Sequence, residues 1–314
     1  MLIGQARAVR VLCEIAEHGS FSAAARSLGM TQSAVSQHVA ALEREAGLAV
    51  VERGTRPLEL TEAGTVLVRH GRVAIAELER AEQALGEIAG LRAGRLRMGS
   101  FPTALTSFVP VAIARFRHES PAVALTMVDD HMQGLAPRLE SGELDMAVVY
   151  ENPGLPSGAS GQLTLSPLFD DHYRVLLPEG HRLTRRRTRL RLADLADEAW
   201  VGGRPGSTWF RILLHSCRAA GFEPHTQLAT DDNRAVHAFV AAGLGVAVVP
   251  GLAAQHPLPG VAVRDLAQSA PVRRIGVAYR SGEPATAPVR AMAGILGDVT
   301  APWRAGRRAA RRPA

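Results

Sequence analysis

The sequence predicts an α+β multidomain chain: an N-terminal winged helix-turn-helix, one long linker helix suited to dimerisation, and a C-terminal two-lobed α/β domain. Three observations carry this expectation. Short amphipathic stretches punctuated by Gly19, Gly29 and Gly47 open the chain. A proline-free stretch runs from Thr61 to about Leu91. Beyond it, short apolar strands alternate with helical stretches, the pattern of a parallel sheet with crossover helices. The 314 residues suit two or three domains, at roughly 100 to 200 residues each. With 46% apolar and 21% charged residues the chain can bury a sizeable core.

In the first helix, Ala6 to about His18, the residues Val9, Leu12, Cys13 and Ala16 recur at helical spacing and are the expected buried face. Gly19 ends it, and Ser20 or Ser22 caps a short second helix with Ala24, Ala25 and Leu28 inside. Gly29 permits a tight turn. Thr31 or Gln32 opens the third helix, whose inner stripe is Val35, Val39, Leu42 and Ala46. Its outer face holds Gln32, Ser33, Ser36, Gln37 and Arg44. Gly47 closes it, and residues 50–60 around Gly54 and Pro57 read as a small hairpin or wing. Alanines between helices two and three allow the close, steep crossing of a helix-turn-helix. Serine and glutamine reach base edges in a major groove, while Arg53 and Arg56 suit phosphate or the minor groove. A plain three-helix bundle with a solvated polar face has the same apolar pattern.

The segment Ser20 to Gly64 closely resembles the N-terminal domain of LysR-type transcriptional regulators. The resemblance rests on Ser20-Phe21, Ala24-Ala25, Leu28, Thr31-Gln32-Ser33, Val35-Ser36, Leu42-Glu43, Gly47, Glu52-Arg53, Arg56 and Leu60-Thr61-Glu62-Ala63-Gly64. One departure is Val50-Val51, where the family usually has Leu-Phe. It alters wing packing and removes no DNA-facing group. The DNA-binding candidates are Ser22, Gln32, Ser33, Ser36, Gln37, Arg53 and Arg56.

After Thr61, a natural N-cap, Leu67, Ala74, Leu78, Ala81, Leu85 and Ile88 follow the a/d rhythm of a coiled-coil seam with one gap near Gly71. Gly64, Gly71, Gly86 and Gly90 are its weak points. The seam calls either for a second copy of the chain or for packing on the chain's own C-terminal region. The resemblance favours a homodimer and adds a homotetramer of two dimers.

Residues 92–97 link to the third region. Strands are expected at 96–99, 123–128, 146–149, 173–177 and 246–249, and helices at 105–116, 135–139, 209–220 and 233–242. The run 275–279 and a helix at 287–296 return to the first lobe. Crossings near Leu165 and Leu266 make two lobes, which resemble the periplasmic binding-protein-like effector domain of the same regulators. The expected division is 1–60 for DNA binding, with the helix-turn-helix at 20–39, 61–94 for the linker helix and 95–300 for the effector domain. Within that domain lobe I is 95–165 with 267–300 and lobe II is 166–266. An Arg-rich disordered tail fills 301–314.

Ligands of open parallel sheets sit beyond the carboxyl ends of the strands. Ser100, Phe101, Pro102 and Thr103 follow the first strand, and hydroxyls with backbone donors there favour a small carboxylate. An ordinary N-cap by Ser100 or Thr103 explains the same residues. The resemblance makes this turn a wall of the effector cleft. His131 and the segment 202–208 occupy comparable turns, with Arg204, Ser207 and Thr208 suited to pairing a carboxylate from the second lobe. The effector candidates are therefore Ser100, Phe101, Thr103, His131, Arg204, Ser207 and Thr208.

Enzyme chemistry finds little support. All 36 basic residues are arginine, which removes lysine nucleophiles, Schiff bases and the P-loop lysine. There is no HExxH and no Gly-x-Ser-x-Gly elbow, and the Gly-x-Gly of 243–251 lies between a helix and a strand in the wrong order for a dinucleotide site. Residues 158–161 are a glycine-serine loop. Cys13 and Cys217 lack metal or disulfide spacing, and Cys217 reads as core. No cofactor or metal is expected, and no segment is apolar enough to span a bilayer. A cytoplasmic regulator follows, whose partners are double-stranded promoter DNA, a small-molecule effector, further copies of itself and RNA polymerase. The alternative is a cytoplasmic sensing or solute-binding protein whose N-terminal helices serve only association. The net charge of +6 does not decide between them. Residues 1–60 carry six Arg and six Glu, whereas the last eleven carry five Arg and no acid.

Overall fold

The structure is a computed structural model that describes residues 6–52, 54, 58–88, 94–153, 162–267, 270–282 and 285–304. The N-terminal unit comprises α1 (Ala6–His18), α2 (Phe21–Ser27) and α3 (Gln32–Ala46). The Ser20 hydroxyl accepts from the Ala23 amide and the Thr31 hydroxyl from the Ala34 amide, so α2 and α3 each begin on a side-chain cap. Gly29 and Gly47 take φ of 61° and 67°, left-handed values that favour glycine. Val35, Val39 and Leu42 point inward as expected. In α1 the expected face is displaced: Ala8, Val11, Leu12 and Ile15 are the buried residues. Val9, Cys13 and Ala16 are half-buried at the margin of the same core. The helix packs against α2, α3 and the linker helix, so its apolar arc is wider than one stripe. A bridge between Val51 and Leu60 starts the wing, whose tip at 53 and 55–57 lies outside the described residues.

The linker helix α4 spans Glu62–Ile88. The Thr61 hydroxyl accepts from the Gly64 amide and donates to the Ala49 carbonyl, fastening the helix start to the wing base. Gly64 and Gly71 are contact points. A Cβ at Gly64 would lie 2.0 Å from the Val50 carbonyl oxygen, and one at Gly71 2.2 Å from Val9 Cγ1. Further along, Ala76 is buried, and a Cβ at Gly142 of the C-terminal domain would meet its methyl at 2.3 Å. Of the expected seam, Leu78 and Leu85 are exposed, at 57% and 65%. Ala74 and Ala81 are exposed as well. Leu67 instead joins the N-terminal core, and the Ile88 side chain lies outside the described residues.

The C-terminal domain begins with β1 (Gly94–Ser100), α5 (Pro102–Leu105), α6 (Val109–Glu119), β2 (Val123–Asp129), α7 (Met132–Glu140) and β3 (Met146–Glu151). The helix expected at 105–116 is thus two, restarted at Val109 with Pro110 in its first turn. Then come β4 (Leu163–Pro178), β5 (Ala199–Gly202), α8 (Thr208–Ala219), β6 (His225–Ala229), α9 (Asn233–Ala241), β7 (Ala247–Pro250), β8 (Val261–Asp265), β9 (Val272–Arg280) and α10 (Ala287–Val299). β1 pairs in parallel with β2 and β3, and β5 with β6. The expectation of purely parallel sheets is corrected by β4 and β9. They run antiparallel to each other, β9 antiparallel to β3, and β4 antiparallel to β7 and β8. These strands carry the chain between the lobes in opposite directions, so they cannot both join the parallel sense.

Residues 163–172 of β4 pair with β9, and residues 173–178 with β7 and β8. The strand therefore changes partners at His172, later than the expected crossing near Leu165. Pro167, Asp170 and Asp171 interrupt its apolar pattern and conceal the continuous strand. Separate cores sit in the two lobes. One gathers Phe101, Phe108, Phe116, Met146 and Phe169, the other Trp200, Leu213, Cys217 and Val248. Residues 301–304, expected as tail, continue the helical path, and Trp303 stacks on Phe169 with ring centroids 5.6 Å apart. Residues 305–314 lie outside the described residues.

Candidate nucleic-acid interface and effector cleft

Burial of Val35, Val39 and Leu42 turns the opposite side of α3 outward, and Gln32, Ser33, Ser36 and Gln37 are all exposed. Ser22, also exposed, donates its hydroxyl to Gln32 Oε1 at 3.0 Å, so two candidates are held together across the turn. Arg26, one helical turn beyond Ser22, is exposed on the same face and escaped sequence reading. Helical spacing from Ser22 is the signal that would have found it. Arg53 and Arg56 lie outside the described residues. Two acids of the unit are engaged elsewhere: Glu14 accepts from Ser27 and Glu43 from the Val50 amide. A serine- and glutamine-lined helix face offers donors and acceptors without a competing carboxylate, which suits base edges.

In the C-terminal domain the turn after β1 is closed. Ser100 and Phe101 are buried, and the Ser100 hydroxyl makes only a long contact to the Phe101 carbonyl, at 3.4 Å. Neither Ser100 nor Thr103 caps α5, since Phe101 occupies the cap position. The Thr103 hydroxyl accepts from Arg273 Nη2 at 2.7 Å. Arg273, only 3% exposed, also donates from Nε to Asp171 at 2.8 Å and lies over the rings of Phe101 and Tyr150, 4.9 and 4.8 Å from their centroids. The Asp171 carboxylate accepts in addition from the Leu252 amide. A buried cation is thus held by a carboxylate, a hydroxyl and two aromatic faces.

His131 takes the cap position of α7 and is exposed. Arg204 donates from Nε to Asp231 at 2.7 Å, and Ser207 caps α8 by accepting from the Phe210 amide. Thr208 accepts from Arg211. Burial raises the Asp231 carboxyl pKa, but hydrogen bonds from Arg204 and Ser207 outweigh it and hold the group below its ordinary range. Burial pushes Tyr150 upward, opposed by the Arg273 charge and aided by that of Asp231. Tyr150 of the first lobe thus feels the charge of Asp231 in the second. Phe101 and Thr103 converge on Arg273 while Ser100 does not reach it, whereas Arg204 and Ser207 gather at Asp231 and Thr208 pairs with Arg211 at the start of α8. Sequence reading missed Arg273, Asp171, Tyr150 and Asp231. The strands that carry Asp171 and Arg273 also hold Asp170 and Arg274, so no local pattern marks the buried pair.

Residues 89–301 match the family model described as LysR substrate binding domain, and residues 6–65 match that of the bacterial regulatory helix-turn-helix protein, lysR family. The chain belongs to the LysR family. It is a DNA-binding transcriptional regulator with an effector-binding domain. This LysR-family chain is 33% identical over 300 residues to a "Probable hydrogen peroxide-inducible genes activator" of Mycobacterium avium, covering 93% of both chains. It is 32% identical over 244 residues to the transcriptional regulator CbbR of Rhodospirillum rubrum, covering 77% of this chain and 78% of that one. A full-length OxyR variant from Pseudomonas aeruginosa superimposes with a TM-score of 0.73 at 25% identity, over 94% of each chain. CbnR in complex with its target DNA shares the fold, with a TM-score of 0.65 at 20% identity over 94% of this chain and 99% of that one.

Proposed function

We propose that this regulator binds a partly palindromic promoter site as a dimer or a tetramer of two dimers, and switches promoter activity when a small carboxylate enters the interlobe cleft. Gln32, Ser33, Ser36 and Gln37, positioned by Ser22, read bases, while Arg53, Arg56 and Arg26 meet phosphates. Two recognition helices related by a two-fold fall on half-sites about one helical turn apart. The reading includes action in the cytoplasm without catalysis, and the division 1–60, 61–94 and 95–300. The observation that carries it is the exposed, uncharged face of α3 on a capped three-helix unit, followed by the outward leucines of α4.

Arg273 is the cation on which we centre effector recognition, with Ser100, Phe101 and Thr103 shaping its surroundings. His131, Arg204, Ser207 and Thr208 form the opposing edge. A ligand switches the promoter only by binding one lobe arrangement better than the other. The name of the mycobacterial relative suggests peroxide as the signal, but the thiols here are ill suited to it. Burial pushes Cys217 up to about 12 and Cys13 up to about 11, the latter partly offset by Arg72. They sit on α8 and α1, in different domains, whereas a reactive cysteine needs a thiolate.

A sensing protein with merely associative N-terminal helices is the competing reading. Duplexes selected from a random library by the full chain separate the two in a mobility-shift assay. Ser36→Asp sets a carboxylate against bases and phosphates and is expected to abolish the shift. Equal shifts by variant and wild type would refute base reading by α3.

A further inference from the structure

Lobe II carries a second cationic feature remote from α3. Residues 182–191 read RLTRRRTRLR, six arginines in ten positions without an acid. Leu183 and Leu190 are buried and pin the segment at both ends, while residues 185–189 are all exposed. Between the pins, the backbone is gathered around the guanidinium of Arg264 on β8. Its Nη1 donates to the carbonyls of Leu183 at 3.0 Å and Thr184 at 2.5 Å, and its Nη2 to those of Thr188 at 3.1 Å and of Arg186. With four carbonyls turned inward onto one cation, the side chains of the loop are turned out.

The charges of this loop are unequally compensated. Arg182 pairs with Glu198 at 2.7 Å, and Arg186 and Arg191 pair with Asp194 at 2.7 and 3.4 Å. Among the described residues, Arg185, Arg187 and Arg189 enter no ion pair. Three like charges on one ordered, convex loop repel each other and gain most from a partner bearing several negative charges at intervals. The exposed large apolar residues of the described chain are Leu48, Val66, Leu78, Leu85, Val111 and Leu244, none of them in the loop. A protein partner would call for an apolar or aromatic centre, whereas nucleic-acid surfaces are polar and strongly positive on the protein side.

We propose that Arg185, Arg187 and Arg189 form a second DNA-backbone contact, through which lobe II grips phosphates flanking the site read by α3. The inference rests on the chain binding DNA. It assigns to the effector domain a share of the affinity that the electrically neutral N-terminal unit lacks. Guanidinium forks match phosphate oxygens, and each neutralised phosphate releases counterions. The contact adds affinity and salt dependence without adding sequence preference.

The test compares wild type with Arg185→Gln/Arg187→Gln/Arg189→Gln on a library-selected site, held in a short duplex that ends at the site and in one with long flanks. Each phosphate contact is worth about 0.9 in the slope of log affinity against log salt. The triple variant is therefore expected to lower that slope by about 2.7 per engaged protomer on the long duplex and to leave the short one unchanged. Preference for the selected site over random DNA should persist in the variant. That preference separates this contact from base reading, because a wild-type chain that selects no site fails the earlier proposal and not this one. In that case the same slopes are measured on a long random duplex. Removing three exposed charges elsewhere, with Arg117→Gln/Arg218→Gln/Arg290→Gln, is expected to leave the slope in place. An unchanged slope in the triple variant overturns the proposal, as does an equal fall in the control. If the slope stays and activation by polymerase is lost, the loop binds an acidic protein instead.

Discussion

At Arg273 the cost of burying a charge is met by three kinds of partner at once. The Asp171 carboxylate supplies the opposite charge, Thr103 a hydroxyl acceptor, and Phe101 and Tyr150 their negative ring faces. Removing only the cation leaves Asp171 buried without it, which costs about 3–5 kcal/mol. Arg273→Met is therefore expected to lower stability in urea unfolding by that order, and Arg273→Met/Asp171→Leu to recover most of it. A loss below about 1 kcal/mol in the single variant would mean that water reaches the carboxylate. This pair was hidden in the sequence because an arginine and an aspartate 102 positions apart carry no mutual signal. Serine and threonine after β1 were legible as a polar turn. That Ser100 faces inward and that Thr103 is already engaged are facts of tertiary packing, which local spacing does not encode.

The linker helix has two working faces, and only one was legible. The spacing of Ala74, Leu78, Ala81 and Leu85 is regular, and the structure leaves Leu78, Ala81 and Leu85 exposed for a partner. Replacing both Leu78 and Leu85 by Asp is expected to turn dimers into monomers in sedimentation analysis while the circular dichroism stays unchanged. Persisting dimers would show that α4 is not the seam. The other face was misread. Gly64 and Gly71 count as weak points on helix propensity alone, yet a side chain at either would collide with Val50 or Val9. Here close approach outweighs the roughly 1 kcal/mol that glycine costs in a helix. Helices α2 and α3 were read well because caps, glycines and apolar period agree locally. The short strands β6 and β8 were missed because they are half-exposed and only five residues each.

For the molecule as a whole, Glu79 on α4 is a junction. It pairs with Arg10 of the N-terminal unit and with Arg95 and Arg97 at the start of β1. Burial raises its pKa, but the hydrogen bond from Arg95 and the charges of Arg95, Arg97 and Arg10 prevail and lower it from its ordinary 4.5. A depressed carboxylate adds stability that is full above the unfolded value and is lost as pH falls below about 4.5 toward the folded one. Glu79→Gln should thus melt below wild type at pH 7, with the gap closing under acid. A gap that does not narrow at all as the pH is lowered through the acid range would trace the effect to packing. The ribbon made by β4 and β9 adds a mechanical consequence. Its two strands stay laddered to each other up to the partner change at His172, so the lobes are joined by a twisted strap and do not swing on a free hinge. Seven residues beyond Arg273, β9 ends at Arg280, which pairs with Glu77 on the linker helix. If a ligand acts at Arg273 as proposed, the strap leads from it to the linker helix.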